Sequence, residues 1–200
     1  MERTKVVEWV DIAAPCQDVF DLILNIERRM QLSPLWGVDT IEDLSQEYPQ
    51  VGSGYLNRVK VGEEQEVQEY RTTITCNEPG KCFGYRLDVP RKSEVTWSVQ
   101  EVTRGTRITY EESFLIDKKD EADFSQQVSK TIQDWLQNIK RYSELRGTRT
   151  RRFVRWLLDR FYLNMRQDQR KVVLALLVMQ FVGMISFIMA AIALGIAGLI

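Results

Sequence analysis

The chain contains no histidine. That removes the imidazole base of Ser-His-Asp and Cys-His nucleophilic sites, together with imidazole ligation of metals. Its three cysteines, Cys16, Cys76 and Cys82, lack the paired close spacing of a zinc site. No metal and no other cofactor is expected. Cys76 and Cys82 flank the Pro79-Gly80 turn and face each other across two strands, either as small buried thiols or as a reversible pair. Gly52-Ser53-Gly54 lacks the lysine and the helix context of a phosphate loop. Carboxylate and phenol chemistry remain. Glu112 shares strand parity with Ile108, Tyr110, Phe114 and Ile116, which turns its carboxyl toward an apolar side. A carboxyl placed there needs a partner or a raised pKa, and it can then serve as acid, base or ligand anchor. The alternative is a strand-end position or a bulge that turns it to water. Tyr70, Tyr85, Trp97 and Tyr110 offer hydroxyls and an indole N–H that either orient a ligand in a cavity or pack as ordinary core. Trp36, in a loop, is either a lid over the core or a residue at a cavity mouth. Glu69 and Arg71 share parity on a wet strand face.

The second chemically distinctive stretch is basic. Residues 1–145 hold 18 Lys/Arg against 26 Asp/Glu, a net −8, whereas residues 146–171 hold nine Arg/Lys against two Asp, a net +7. Within the basic stretch Phe153, Val154, Trp156, Leu157, Leu158, Phe161 and Met165 supply an apolar side. Arg151, Arg152, Arg155, Arg160 and Arg166 fall mostly on the other, and Arg170 and Lys171 close it. The spacing predicts one amphipathic helix over 150–170, lying in the interface of an anionic membrane or packed on the domain. A nucleic-acid role is disfavoured because the adjoining domain is acidic.

Residues 172–200 carry no charge over 29 positions, and only Gln180 and Ser186 are strongly polar. An apolar run above about 18 residues reads as a membrane-spanning helix, because in lipid a helix satisfies its own backbone hydrogen bonds. Its length of about 43 Å exceeds a hydrocarbon core of about 30 Å, so it spans with tilt or begins in the headgroup layer. A buried core helix is the other reading, but charge-free core helices of this length are rare. Basic residues beside a span stay on the cytoplasmic side, which places the preceding domain in the cytoplasm. No secretory signal opens the sequence, and the cysteines fit a reducing compartment. A bacterial inner membrane is the expected location, and a tail-anchored organelle protein is the alternative. Ser186/Ala190 and Ala191/Gly195 have small-xxx-small spacing, which permits an oligomer through this helix.

The elements that must position these groups follow from periodicity. Residues 4–12 read as a strand. Pro15 opens a helix carrying Val19, Phe20, Ile23 and Leu24, and a short helix over 26–32 ends before Pro34. A short strand over 40–44 precedes strands near 55–61, 66–76, 82–89, 94–102 and 106–116, all joined by turn residues. Connections this short predict an antiparallel meander with one apolar, aromatic face. Residues 124–146 return to helical period, with Phe124, Val128, Ile132, Trp135, Leu136, Ile139 and Tyr142 on one stripe and Gly147 as a stop.

This order, with Ile12-Ala13-Ala14-Pro15 followed by Val19-Phe20, Asn77-Glu78-Pro79-Gly80 followed by Phe83-Gly84-Tyr85, and a last helix bearing Trp135-Leu136, resembles the START-like or SRPBCC superfamily of polyketide cyclase/dehydrase and lipid-transport proteins. The resemblance covers about residues 4–146. It implies an α+β helix-grip fold, a curved antiparallel sheet wrapped around a long C-terminal helix, here followed by an amphipathic helix and one transmembrane helix. It also implies a cavity for an apolar ligand, and Trp36, Tyr70, Tyr85, Trp97, Tyr110 and Glu112 are its candidate lining. The expected organisation is a ligand-binding domain over 1–146, a basic connector over 147–171 and a span over 172–200. The expected function is binding of a lipid, quinone or other apolar small molecule for uptake, presentation or transfer at the membrane. A cyclase- or dehydratase-like enzyme using Glu112, or a membrane-anchored interaction protein, are the alternatives.

Overall fold

The computed structural model describes residues 2–34, 38–61, 66–89, 91–118, 121–165 and 167–197. Of residues 38–40, 59–61, 66–68, 167, 168, 171, 174, 188 and 190–197 only the backbone is described. Two compact units are present, Met1–Trp156 and Leu157–Ile200.

The first unit opens with strand β1 (Glu2–Ile12), in which buried Val6, Val10 and Ile12 alternate with more exposed neighbours such as Val7 and Trp9. Helices α1 (Cys16–Leu24) and α2 (Ile26–Gln31) follow. Asn25 separates them, because its side chain accepts the backbone N–H of Arg28 and starts the second helix afresh. Six strands come next: β2 (Val38–Glu42), β3 (Gly54–Val61), β4 (Glu66–Glu78), β5 (Cys82–Leu87), β6 (Glu94–Val102) and β7 (Gly105–Ile116). The sheet order is β1-β7-β6-β5-β4-β3-β2, with every neighbouring pair antiparallel. This is the expected meander, with the N-terminal strand added to its last member. The β6–β7 turn needs Gly105 at φ 131°, a backbone region that a side chain resists. A Cβ there would also run into the Ile12 carbonyl oxygen.

Helix α3 (Glu121–Ser143) lays its apolar stripe on the sheet, burying Ile132, Trp135, Leu136, Ile139 and Tyr142. Opposite them lie Ile74, Phe83, Val95, Trp97, Val99, Ile108, Phe114 and Ile116, all buried, on the inward parity of their strands. The α+β architecture, an antiparallel sheet with one long helix, agrees with the helix-grip expectation. The helix stops at Ser143, short of Gly147, because the Leu145 N–H bonds to the Tyr142 carbonyl three residues back and tightens the last turn. Helix α4 (Arg149–Leu157) closes the unit except for Leu157.

In the second unit the basic stretch departs from the single helix expected over 150–170. After α4 the chain takes a π-helical turn (Leu158–Tyr162), then breaks before helix α5 (Gln167–Ala197). Side chains explain the break. Asn164 Nδ2 donates to the Asp159 and Arg160 carbonyls at 3.1 and 3.3 Å. Arg170 donates to the Leu163 carbonyl at 2.6 Å and the Met165 carbonyl at 2.9 Å. Terminal carbonyls that a longer helix would consume are thereby satisfied locally. Among the described residues no helix is long and apolar enough to cross a membrane. The side chains of Leu174, Ile188 and 190–200, which belong to the uncharged sequence, lie outside the described residues.

Leu136 is 1% exposed between α3 and the sheet. Leu136→Ala should lower stability by about 2–5 kcal/mol, whereas Gln137→Ala, on the exposed side of the same turn, should stay within about 0.5 kcal/mol. Urea unfolding of both variants checks the contrast.

Candidate functional site

The aromatic face of the sheet and the N-terminal half of α3 enclose a cavity of about 330 Å³. Strand alternation delivers its wall. Tyr55 and Asn57 come from β3, Tyr70 from β4, Tyr85 from β5, and Tyr110 and Glu112 from β7. From α3 come Phe124, Gln127, Val128, Thr131, Ile132 and Trp135, while Met30 of α2 and Leu87 complete the lining. The C-terminal half of α3 is tightly buried, but Phe124 and Val128 are half-buried and Gln127 is exposed. Ligand pockets typically span about 300–1,000 Å³, so the space accommodates one compact molecule.

Four of the residues singled out from sequence, Tyr70, Tyr85, Tyr110 and Glu112, meet in this wall. Glu112 faces inward as its parity required. The Tyr110 hydroxyl donates to Glu112 Oε2 at 2.8 Å. Burial raises the pKa of the Glu112 carboxyl, and hydrogen bonds from Tyr110 and Ser93 oppose the rise only in part. Burial likewise pushes the hydroxyls of Tyr70, Tyr85 and Tyr110 upward, and for Tyr85 and Tyr110 the nearby Glu112 adds to the effect. The phenols are therefore neutral hydrogen-bonding groups, and Glu112 is biased toward its protonated, donating form. Asn57 is 1% exposed and donates to Thr72 Oγ1 at 2.7 Å, while its own carbonyl oxygen has no hydrogen-bond partner among the described residues. Asn57 is itself part of the cavity lining.

Trp97 does not line the cavity. It stands behind the wall, edge-on to Tyr110 at 4.6 Å and to Trp135 at 5.1 Å between ring centroids. Trp36 lies outside the described residues.

The main feature missing from the sequence reading is Arg29. It is 1% exposed, and no carboxylate among the described residues lies within 4 Å of its guanidinium. Its Nη1 donates to the Ile23 carbonyl and its Nη2 to the Tyr55 hydroxyl at 3.0 Å. The guanidinium lies over the rings of Phe83 and Tyr85 at 5.2 and 5.1 Å. Asn57 was missed as well, although it shares inward parity with Tyr55.

The basic residues are distributed unevenly. Arg151, Arg152, Trp156 and Arg160 are exposed, and Trp156 stacks with Phe153 at 5.8 Å. Arg155 turns inward, over the Tyr142 ring at 4.6 Å, and Arg170 is held by the carbonyls described above. Arg166 and the Lys171 side chain lie outside the described residues. Glu69 and Arg71 are exposed, as expected of a wet face. The thiols of Cys76 and Cys82 lie 2.7 Å apart across the β4–β5 hairpin, where a register shift between Ile74 and Cys76 brings them together. Both are free thiols, and burial pushes Cys82 up to about 12. Among the described residues no group of three acidic or thiol side chains could hold a metal.

A family model described as polyketide cyclase / dehydrase and lipid transport matches residues 3–144. No curated protein matches the chain. Several solved structures share its fold. A Chromobacterium violaceum protein is 13% identical with a TM-score of 0.56, covering 70% of this chain and 97% of that one. A Deinococcus radiodurans protein is 17% identical with a TM-score of 0.54, covering 71% and 98%. The di-domain ARO/CYC StfQ from the steffimycin biosynthetic pathway is 12% identical with a TM-score of 0.55, covering 71% and 51%. At these identities the likeness concerns the fold alone.

The raised Glu112 pKa has a thermodynamic consequence. The native state holds this proton more tightly than the unfolded chain does. The associated stability is fully present below the ordinary glutamate pKa and is lost as pH rises through the native one. Glu112→Gln keeps the neutral shape and removes the titration. Stability of the native chain relative to this variant should therefore fall as pH rises above the ordinary glutamate range and through the raised native pKa. Urea unfolding across that range checks it, and a constant difference would contradict the assignment.

Proposed function

The chain belongs to the polyketide cyclase/dehydrase and lipid transport family, and on that footing we propose that it binds one apolar small molecule in the cavity beneath α3. The observation that carries this reading is the chemistry of the wall. Leu87, Phe124, Val128 and Ile132 offer apolar contact, while Tyr70, Tyr110, Glu112 and Asn57 offer a few polar atoms. Such a wall takes a ligand with an apolar body and one neutral oxygen-bearing end, as in a quinone or a single-chain lipid. The unpartnered Asn57 carbonyl calls for a donor on the ligand, and a protonated Glu112 suits an acceptor beside it.

Membrane attachment belongs to the same proposal. The uncharged residues 172–200 and the net +7 of residues 146–171 support a tether that leaves the cavity-bearing unit on the cytoplasmic face. A tether of this kind lets a membrane-dissolved ligand be taken up or handed on without crossing much water. One observation favours a second reading, a cyclase- or dehydratase-like enzyme: the neutral-biased Glu112 carboxyl, hydrogen-bonded by Tyr110, is equipped as a general acid. In that case Glu112→Gln abolishes turnover while ligand occupancy persists.

Native mass spectrometry of the full chain in mild detergent should show a bound apolar species. Val128→Trp, which fills the cavity, should reduce its occupancy at least about tenfold, since overpacked space excludes the ligand without removing a core contact. A chain that is always empty and takes up no labelled fatty acid or quinone would sink the binding reading. Carbonate washing of membranes from expressing cells should leave the full chain in the pellet; release into the wash would refute the tether.

A further inference from the structure

A second cavity, of about 280 Å³, has the opposite chemistry. It lies where α1, the start of α2, the end of α3 and α4 come together, entirely within the first unit. Three guanidinium groups line it, those of Arg28, Arg146 and Arg155, against the two carboxylates of Asp18 and Asp21. Asp18 is engaged by Arg146, and Asp21 accepts from the Gln17 amide at 2.8 Å. Arg28 and Arg155 both stand over the Tyr142 ring, at 5.7 and 4.6 Å from its centroid, and Arg155 also donates to the Tyr142 hydroxyl at 3.3 Å. The aromatic ring thus holds two like charges beside one another.

Two buried donors in this lining have no hydrogen-bond partner among the described residues. Ser143 is 5% exposed, and its hydroxyl has no hydrogen-bond partner among the described residues. The Arg146 Nε–H is buried and equally unpartnered. Buried donors left in this state are rare in native proteins and costly. Burial and the neighbouring Arg155 both depress the Arg146 pKa, although Asp18 is ion-paired with this guanidinium. What the cleft lacks is an anion with several acceptor oxygens. A carboxylate offers two, whereas a phosphoryl group offers three, enough to meet forked guanidinium donors and a serine hydroxyl together.

We propose that this cleft is a binding site for a phosphoryl group, carried by a phosphate ester in solution or by the headgroup of an anionic lipid. Arg28 and Arg155 supply the forked donors, and Ser143 and the Arg146 Nε–H supply the remaining hydrogen bonds. The site is distinct from the apolar cavity and shares no lining residue with it.

The test uses the full chain in neutral detergent, titrated with inorganic phosphate, and the chain bound to phosphatidylcholine vesicles with or without phosphatidic acid. Arg155→Lys keeps the charge and loses the fork, so it should weaken binding of either probe at least about tenfold, beyond any loss from net charge. Ser143→Ala should weaken it about threefold or more, the scale of one neutral hydrogen bond. Phosphate binding without a vesicle preference assigns the site to soluble phosphate esters. A phosphatidic acid preference that Arg155→Lys removes assigns it to lipid headgroups. Near-ultraviolet circular dichroism reports whether each variant is folded; Arg28→Gln replaces whichever is not. Absence of binding to both probes overturns the proposal. So does binding that Arg155→Lys and Ser143→Ala, or Arg28→Gln in their place, leave unchanged, since the exposed arginines of α4 would then account for it.

Discussion

A buried cation with no carboxylate partner among the described residues sets the terms for the rest of this fold. Moving a guanidinium out of water costs several kcal/mol even after relaxation. Arg29 offsets that cost without a carboxylate, by donating to the Ile23 carbonyl and the Tyr55 hydroxyl and by resting on the π faces of Phe83 and Tyr85. Arginine suits this role better than lysine, because its charge is spread over a plane and is more weakly hydrated. The same residue's carbonyl accepts the Trp135 indole N–H at 3.0 Å. One position therefore ties α1, α2, α3, β3 and β5 together. Each tie has a direction, so the contacts that make the burial tolerable also fix where the aromatic wall stands.

The cavity is a consequence of that fixation. Tyr55 and Tyr85 serve twice, as partners of Arg29 on one side and as cavity lining on the other. Beside them Trp97 stands edge-on to Tyr110 and to Trp135, with centroid distances of 4.6 and 5.1 Å, and Tyr110 and Trp135 are tilted against each other at 5.9 Å. Rings held in this way cannot collapse into the space beside them without losing contacts elsewhere. Burial acts on Tyr70, Tyr85, Tyr110 and Glu112 in the same direction, toward the neutral form. The cavity is polar enough to orient a ligand and too poorly solvated to welcome a charged one.

Strand parity made much of this legible in the sequence. Tyr85, Tyr110 and Glu112 sit on inward positions of β5 and β7, and a period of two is a sharp signal over six to twelve residues. Arg29 was not legible. Its helix is six residues long, too short for a helical period to say which face is buried, and arginine is almost never fully buried without a partner. Asn57 was within reach, since a polar residue on the same parity as Tyr55 is itself an anomaly. The break within the basic stretch was hidden for a different reason. Apolar spacing continues through it, while hydrogen bonds of Asn164 and Arg170 to backbone carbonyls accompany the end of the first helix.

The two cavities also constrain one another's interpretation. Both are lined by α3, the apolar one from Phe124 to Trp135 and the cationic one at Tyr142 and Ser143. From Trp135 to Tyr142 the helix rises about 10 Å, at about 1.5 Å per residue. The two linings share no residue. They are nevertheless connected through α2. Arg28 lines the cationic cleft, and its neighbour Arg29 props the Tyr85 wall of the apolar cavity. One six-residue helix thus carries a residue of each constellation, Arg28 at the cationic cleft and Arg29 behind the aromatic wall, and fixes the spacing of their backbones.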